Sequence, residues 1–263
     1  MGADRIARTA RLPELDDRPV ARRIGLVALA TDHTTERDFA RMLPHGEAAV
    51  YVSRVAYDNP TTPENLARMG PRLGAAAALI LPGEPLDALY YGCTAASFVM
   101  GDRAVAAAFA SAKPDVPVVT PPQAAVLAFR ALGIRRIAIL TPYLEETSRP
   151  LIPYLEERGL EVTGLTCFGM EDDREMARIK PSELVRAAVE AAGDGAEGLF
   201  ISCTALRSTE VVGEIERRLG RPAVTSNQAG IWCSMRQAGI ASAIDGYGRL
   251  LGLPLPDTAG PGR

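Results

Sequence analysis

Three features that would narrow the function at once are scarce or missing in this sequence. Its 263 residues include 4 cysteines, which lie at least 30 residues apart and lack the close spacing of zinc sites and redox dithiols. No uncharged apolar run reaches the roughly 18 residues of a membrane span. The formal net charge of −3 offers no excess of cations for phosphate contacts. We therefore expect no metal site, no membrane span and no nucleic acid partner.

The composition is that of an ordinary soluble globular protein. Hydrophobic residues make up 47% of the chain, enough for one large domain or two smaller lobes. No hydrophobic signal segment opens the sequence, so we expect a cytoplasmic protein. In that reducing compartment the cysteines are expected to be free thiols.

Short apolar runs alternate with helix-like stretches along the chain. Amphipathic segments with a Pro, Ser or Thr near the start and a Gly at the end predict helices at 63–81, 148–159, 180–193 and 208–220. This alternation predicts an α/β fold with parallel sheets. The runs that read as strands are 24–30, 48–56, 86–92, 116–120, 136–140, 160–168, 197–202 and 221–226.

The pattern repeats once. "DALYYGCTAASFVMG" parallels "EGLFISCTALRSTEV", and "PVVTPPQAAVLAFRALGI" parallels "PAVTSNQAGIWCSMRQAGI". The repeat predicts two similar Rossmann-like lobes, related by a pseudo-twofold axis, with an active site in the cleft between them. The predicted divisions are an N-terminal arm at 1–21, a first lobe at 22–120 plus 227–252, a second lobe at 121–226, and a flexible tail at 253–263.

A Cys-Thr pair follows a strand and precedes a helix-like stretch in each copy, at Cys93 and at Cys203. Ligands of open α/β sheets bind beyond the carboxyl ends of the strands, so the two thiols are expected at one cleft. A helix N-terminus stabilises negative charge, which predicts a lowered thiol pKa and a reactive thiolate. The alternative is a pair of buried structural cysteines, because free cysteine is commonly a small core residue.

These motifs resemble a known enzyme superfamily. "GCTAASFVMG", "SCTALR" and "RPAVTSNQAGIW" are similar to the aspartate/glutamate racemase superfamily, in particular to its maleate cis-trans isomerases and arylmalonate decarboxylases. "TDHTTERDF", "NPTTPENLA" and "VTSNQA" most resemble the ectoine-utilisation proteins of that branch. The resemblance extends from about residue 22 to residue 251.

The resemblance implies a cofactor-free enzyme that acts beside a carboxylate. In the racemases one thiolate removes the α-proton and the opposite thiol returns a proton; in the maleate isomerases one cysteine adds to the alkene, the new single bond rotates, and elimination gives fumarate. The resemblance thus implies Cys93 and Cys203 as catalytic residues. Because the decarboxylases keep only the second cysteine, the presence of both argues against decarboxylation.

The resemblance also implies a set of substrate-binding residues. Thr94 and Thr204 match positions that hold substrate carboxylates, and Tyr143 matches a tyrosine that hydrogen-bonds one. Asp32 follows the first strand near the first cysteine, where it either orients a thiol, holds a substrate amine, or simply caps a helix. In the "NPTTPEN" loop, Thr61 and Thr62 either approach the pocket or cap the next helix. If the loop approaches the pocket, Thr62 is the predicted substrate-binding residue.

Two departures from the family pattern limit the assignment. The racemases often show Cys-Thr-His, whereas Ala205 follows Thr204 here, which makes an amino-acid racemase less favoured. Arg207 either recognises a second carboxylate or faces solvent, and His33 has an acid/base role only if it enters the pocket. Cys167 and Cys233 have no counterpart in the repeat, and Cys233 beside Trp232 is expected in the core.

The sequence therefore predicts a two-cysteine isomerase of the maleate cis-trans isomerase type, with a small carboxylate as substrate. One alternative is a racemase or epimerase of an ectoine-degradation intermediate, such as an N-acetylated diamino acid. Another is a non-catalytic carboxylate-binding protein. Relatives imply a homo-oligomer, a dimer or larger.

Overall fold

A computed structural model describes residues 6–256; residues 1–5 and 257–263 lie outside this range, and with them most of the predicted tail. The first half of the chain forms a parallel four-stranded sheet in the order β2-β1-β3-β4. Its central strand is almost wholly buried, as continuous apolar runs such as "IGLVAL" predict. The strands are β1 (Arg22–Leu29), β2 (Ala48–Val55), β3 (Ala88–Gly92) and β4 (Val118–Val119).

The first half of the chain also contains six helices. Thr62 and Pro63 begin the second of them as cap and first helical residue. The helices are α1 (Thr35–Met42), α2 (Pro63–Ala67), α3 (Gly70–Ala78), α4 (Thr94–Met100), α5 (Asp102–Ala110) and α6 (Pro121–Ala131).

The second half forms another parallel four-stranded sheet, in the order β6-β5-β7-β8. Its strands are β5 (Arg136–Tyr143), β6 (Glu161–Met170), β7 (Gly198–Ile201) and β8 (Ala223–Thr225). Its helices are α7 (Glu145–Ser148), α8 (Leu151–Glu156), α9 (Asp173–Met176), α10 (Pro181–Ala191), α11 (Val212–Leu219) and α12 (Ser226–Gln237).

The two sheets have the same strand order, which confirms the predicted α/β fold with two similar parallel-sheet halves. In each half the chain runs from the central strand outward to one edge and then crosses to the other side. The strand that carries a cysteine at its carboxyl end is β3 in the first sheet and β7 in the second. The exact lobe boundaries stay a prediction.

Two predicted helices are interrupted. The stretch 63–81 forms α2 and α3 with a break at residues 68–69, where Gly70 and Pro71 restart the helix. Proline lacks the N–H needed for an interior helical hydrogen bond, so the second helix begins there. The stretch 208–220 begins with a 3-10 helix (Arg207–Glu210) and becomes α-helical only at Val212.

Helix α12 packs against β3 and α6 and so joins the two halves. At Gly230 the contact is so close that a Cβ atom would lie 2.3 Å from the ring of Tyr90, and only glycine fits there. The same helix holds the C-terminal segment: Trp232 Nε1 donates to the carbonyl oxygen of Leu253 at 2.8 Å. Leu253, the first residue of the predicted tail, is therefore anchored.

Candidate active site

Both Cys-Thr motifs line one cavity between the two halves. Cys93 and Thr94 contribute from the first half, and Cys203 and Thr204 from the second. The two cysteine residues are 4% and 5% exposed. The cavity has a volume of about 20 Å³, which is room for roughly one water molecule. The structure thus brings the two predicted thiols to a small, nearly closed site.

Cys93 occupies the N-cap of α4 in extended backbone, with φ −147° and ψ 109°. Its carbonyl oxygen accepts the hydroxyl of Ser97 at 2.6 Å, which fixes the start of the helix. The first N–H groups of a helix have no carbonyl partner within it, so those of Thr94 and Ala95 are available beside the thiol. Cys93 therefore stands where a helix end favours a negative charge, as the sequence predicts.

Cys203 has a different local structure. Its φ of +113° lies where glycine is favoured, so the backbone is strained at this residue. The Ser226 hydroxyl oxygen accepts its backbone N–H at 3.0 Å, and the N–H of Ala205 donates to its Sγ at 3.3 Å. No α-helix begins here, because α11 starts only at Val212. The prediction that both cysteines precede a helix is wrong for Cys203.

Burial controls the acidity of both thiols. It raises the pKa of the Cys203 thiol to about 12, despite opposing contributions from the Tyr143 hydroxyl and the Ala205 N–H. It raises the pKa of the Cys93 thiol further, against the effect of the Ala96 N–H. The negative charges of Asp32 and Asp173 act in the same direction. The predicted lowering of the thiol pKa is therefore wrong for this closed cavity, since desolvation exceeds the helix effect.

The two threonines line the cavity, but each hydroxyl group already donates its hydrogen bond to another atom of the protein. Thr94 Oγ1 donates to Ser226 Oγ at 2.8 Å, and Thr204 Oγ1 donates to the carbonyl oxygen of Gly92 at 3.0 Å. These bonds tie each Cys-Thr motif to the opposite half of the chain. Any carboxylate held here would therefore be bound mainly by backbone N–H groups rather than by the predicted hydroxyls.

Tyr143 and Asp32 also line the cavity. Tyr143 ends β5, is 2% exposed, and its hydroxyl group faces the Cys203 thiol. Asp32 accepts hydrogen bonds from the backbone N–H groups of Thr34 and Thr35, both at 2.9 Å. It therefore stabilises the turn before α1 in addition to lining the cavity. Burial raises the pKa of its carboxyl group.

Thr62 is the one predicted contact that the structure moves away from the cavity. Its side chain caps α2 by accepting the backbone N–H of Asn65 at 3.3 Å, which corrects the prediction of a substrate contact. Its neighbour Thr61 lines the cavity instead and shares a hydrogen bond of 2.7 Å with the Tyr57 hydroxyl. The capping alternative thus applies to Thr62, and the pocket alternative to Thr61.

Asp173 is a cavity residue that the sequence does not single out. It is 6% exposed, accepts Asn59 Nδ2 at 2.9 Å, and bonds the hydroxyl of Thr31. It is the first residue of the short helix α9, in the stretch "DDREM" that follows β6. Together with Asp32 it places two carboxyl groups in a cavity that no cationic side chain of residues 6–256 lines.

His33 and Arg207 lie outside the thiol cavity, in a larger neighbouring one of about 570 Å³. An acid/base role of His33 at the thiols is therefore not supported by its position. Cys167 is half-buried on β6, and Cys233 is buried in the core on α12, as expected. Neither thiol borders the cavity that holds Cys93 and Cys203.

Residues 74–251 match the arylmalonate decarboxylase family. The chain belongs to this family. It is 38% identical to the arylmalonate decarboxylase of Bordetella bronchiseptica over 138 residues, which are 51% of this chain and 58% of that protein. The chain thus spans somewhat more than half the length of that relative.

Maleate isomerases match over a greater length. The chain is 28% identical to the maleate isomerase of Nocardia farcinica over 241 residues, which cover 88% of this chain and 95% of that one. The structure of a cysteine-to-serine variant of the Nocardia farcinica maleate cis-trans isomerase, with a covalently bound succinylcysteine intermediate, superposes with a TM-score of 0.79 at 26% identity. The superposition covers 88% of this chain and 98% of the other.

Within residues 6–256, no helix has the length and apolar character needed to cross a bilayer. Within the same range, no three His, Cys, Asp or Glu side chains are grouped closely enough to coordinate a metal ion.

Proposed function

We propose that this protein is a cofactor-independent isomerase of the maleate cis-trans isomerase type, acting on a small unsaturated carboxylate. The observation that carries the proposal is that Cys93 and Cys203, from equivalent positions in the two halves, line one buried cavity. A decarboxylase of this family would need only the second thiol. The match to a maleate isomerase over 88% of this chain and 95% of that one, and the succinylcysteine in the structure of a related variant, support the isomerase.

The proposed reaction uses the two thiols in different protonation states. The Cys93 thiolate adds to one alkene carbon, and the electron pair of the double bond moves to the neighbouring carbon, where the adjacent carboxylate stabilises it. The Cys203 thiol protonates that carbon and gives a succinyl thioether on Cys93. The carbon–carbon bond that was the double bond is now single, and rotation about it follows. The Cys203 thiolate then removes the proton, the carbon–sulfur bond breaks, and the trans alkene leaves.

Its position at a helix N-terminus favours Cys93 as the nucleophile, although burial in the closed cavity raises its pKa more than that of Cys203. The cavity must open to admit a substrate, and opening removes the desolvation that raises both pKa values. Cys93 stands at the N-cap of α4, next to N–H groups that can bind the carboxylate beside the attacked carbon. Cys203 lies on a strained loop whose backbone N–H donates to the Ser226 hydroxyl, and its thiol lines the same cavity. Tyr143, next to the Cys203 thiol, is placed to bind a carboxylate oxygen. Asp32 and Thr61 complete the proposed contacts with the substrate.

Proton NMR in D₂O with maleate tests the proposal. The wild-type protein should convert maleate to fumarate, whereas Cys93→Ser and Cys203→Ser should remain folded and lose turnover. Cys233→Ser, which changes a buried thiol outside the cavity, is the matched control and should keep it. Unimpaired turnover by either active-site variant would contradict the two-thiol mechanism.

The same spectra separate the alternatives. Deuterium entering the α-position of a chiral acid such as N-acetyl-diaminobutyrate, without fumarate from maleate, would replace the isomerase with a racemase or epimerase. Binding shifts without exchange or conversion would indicate a carboxylate-binding protein. We also propose a relation to ectoine utilisation from the sequence motifs, the lobe boundaries from the internal repeat, and a homo-oligomer from the resemblance to the family. We propose a cytoplasmic location as well.

A further inference from the structure

A second cavity, of about 570 Å³, lies directly outside the thiol cavity, and no carboxylate side chain of the described residues lines it. We call it the outer basic cavity. Its lining includes His33, Arg37, Arg174, Arg178 and Arg207. Four guanidinium groups around one cavity in a chain with a net charge of −3 are a local concentration of charge that the overall composition does not explain.

The same three chain segments form the walls of both cavities. The turn after β1 places Asp32 at the thiol cavity and His33 at the outer one. Helix α9 and the residues after it place Met176 inside and Ala177 outside. The loop after Cys203 places Ala205 inside, and Arg207 follows outside. A single layer of chain therefore separates the outer basic cavity from the thiols.

The four arginines differ in their carboxylate partners among residues 6–256. Arg37 pairs with Glu210 at 2.7 Å, and Arg174 with Asp172 at 2.6 Å. Within residues 6–256, Arg178 and Arg207 form no ion pair.

Arg207 is held by one contact: its Nη2 donates to the carbonyl oxygen of Ile179 at 2.9 Å. Its Nε is buried and has no hydrogen-bond partner in the described part of the chain. An unsatisfied buried N–H is unfavourable, and a carboxylate that accepts from a guanidinium group is its strongest ordinary partner.

The thiol cavity alone is poorly suited to attract an anion. It contains Asp32 and Asp173 and no cationic side chain of the described residues. Its volume of about 20 Å³ also requires the wall to move before a four-carbon diacid enters. A dicarboxylate therefore needs a place outside where its two charges are compensated while the wall opens.

We propose that the outer basic cavity is an anion-binding site that captures small dicarboxylate dianions, through Arg178 and Arg207, before they reach the thiols. This inference rests on the proposed function for its choice of ligand. Capture in a cationic cavity raises the local concentration of substrate and the rate of encounter, and it weakens with ionic strength. It should therefore act on kcat/KM more than on kcat.

The direct test is calorimetric titration with succinate, a dianion that contains no double bond to isomerise. The double variant Arg178→Gln/Arg207→Gln should bind succinate at least about tenfold more weakly than the wild type, because two charge-assisted contacts are lost. Arg186→Gln/Arg218→Gln is the charge-matched control, since both side chains are exposed on α10 and α11 and pair with nearby glutamates. The control should leave the affinity unchanged.

Two further measurements separate capture from a structural effect. Arg207→Lys keeps the charge and should retain most of the affinity, even if glutamine at this position disturbs the contact with Ile179. In turnover of maleate, the double variant should lower kcat/KM severalfold, leave kcat nearly unchanged, and flatten the dependence of kcat/KM on salt.

The outcomes distinguish this inference from the proposed function. Undiminished succinate affinity in the folded double variant, or no succinate binding by the wild type, would overturn the capture site even if maleate is isomerised. Loss of succinate affinity in the double variant of a protein that does not convert maleate would support the capture site and overturn the proposed reaction.

Discussion

The hydroxyl group of Thr204 donates a hydrogen bond to the carbonyl oxygen of Gly92 at 3.0 Å, and so joins the two Cys-Thr motifs directly. The reciprocal connection runs through Ser226, which accepts both the Thr94 hydroxyl at 2.8 Å and the Cys203 N–H at 3.0 Å. These residues are buried, so their hydrogen bonds are not exchanged with water. The relative position of the thiols is thus set by a network that spans both halves.

The strained backbone at Cys203 predicts an unusual order of variant stabilities. With φ at +113°, Cys203→Gly should be at least as stable as Cys203→Ala, because glycine adopts this conformation without strain. At Cys93, where φ is −147°, glycine should instead be less stable than alanine by about 0.5–1 kcal/mol. Urea unfolding of the four variants measures this. The same order at both positions would contradict the assignment of strain to Cys203.

Asp38 predicts a pH dependence of stability. Burial raises the pKa of its carboxyl group from 3.8 to about 6, although Asn227 and Thr209 donate hydrogen bonds to it. Because the folded protein binds this proton more tightly, the stabilisation is fully present below about pH 4 and is lost as the pH rises through about 6.

Urea unfolding between pH 4 and 7 compares Asp38→Asn with the wild type. The variant should lose less stability than the wild type as the pH rises over this range, by an amount on the order of 2–3 kcal/mol. Asp194→Asn changes an exposed carboxylate and is the control for charge. Parallel pH profiles for Asp38→Asn and the wild type would show that the buried carboxyl group does not titrate as stated.

The raised thiol pKa predicts slow alkylation. Cys203, with a pKa of about 12, should react with iodoacetamide more slowly at pH 8 than a free cysteine, whose pKa is about 8.5. Since the Tyr143 hydroxyl opposes this rise, Tyr143→Phe should slow the reaction severalfold further. Tyr154→Phe, which removes a hydroxyl bonded to Asp102, should not change it. Peptide mapping after timed alkylation measures each thiol, and faster reaction in Tyr143→Phe would refute the stated role of the hydroxyl.

The contact between α12 and β3 predicts the effect of adding one methyl group. Gly230→Ala places a Cβ atom 2.3 Å from the Tyr90 ring, which is fully buried and cannot swing away. The variant should lose about 1–3 kcal/mol of unfolding free energy despite the higher helix propensity of alanine. Gly213→Ala on α11, where the nearest atom lies at 3.6 Å, should be neutral or slightly stabilising. Equal stabilities of the two variants would rule out the close packing.

The fold was predictable because short local sequence patterns identify the strands of both repeated units. Apolar runs specify β1, β3, β5 and β7, and each Cys-Thr pair marks the carboxyl end of a strand. The shared strand order of the two sheets then follows from the two similar units. The meeting of the thiols could be anticipated for the same reason.

What could not be predicted depends on contacts between distant segments. Asp173 reaches the cavity because Asn59 and Thr31, from the other half of the chain, hold its carboxylate. The thiol pKa depends on how tightly the two halves close over Cys93 and Cys203, which no local pattern records. Thr61 lines the cavity where Thr62 was predicted to do so. A motif match places a loop near a pocket but does not say which of two adjacent threonines faces it.

The central claim is that Cys93 attacks the substrate while Cys203 serves as the proton donor. The most direct test incubates Cys203→Ser with maleate and locates any adduct by intact-mass analysis and peptide mapping. In this variant solvent supplies the proton that completes the thioether, and no thiolate at position 203 is present to remove it again. The account therefore predicts a mass gain of one maleic acid, carried by Cys93 alone and absent from Cys93→Ser/Cys203→Ser. An adduct on a thiol other than Cys93 would contradict it. Formation of fumarate by Cys203→Ser at the wild-type rate would contradict it as well.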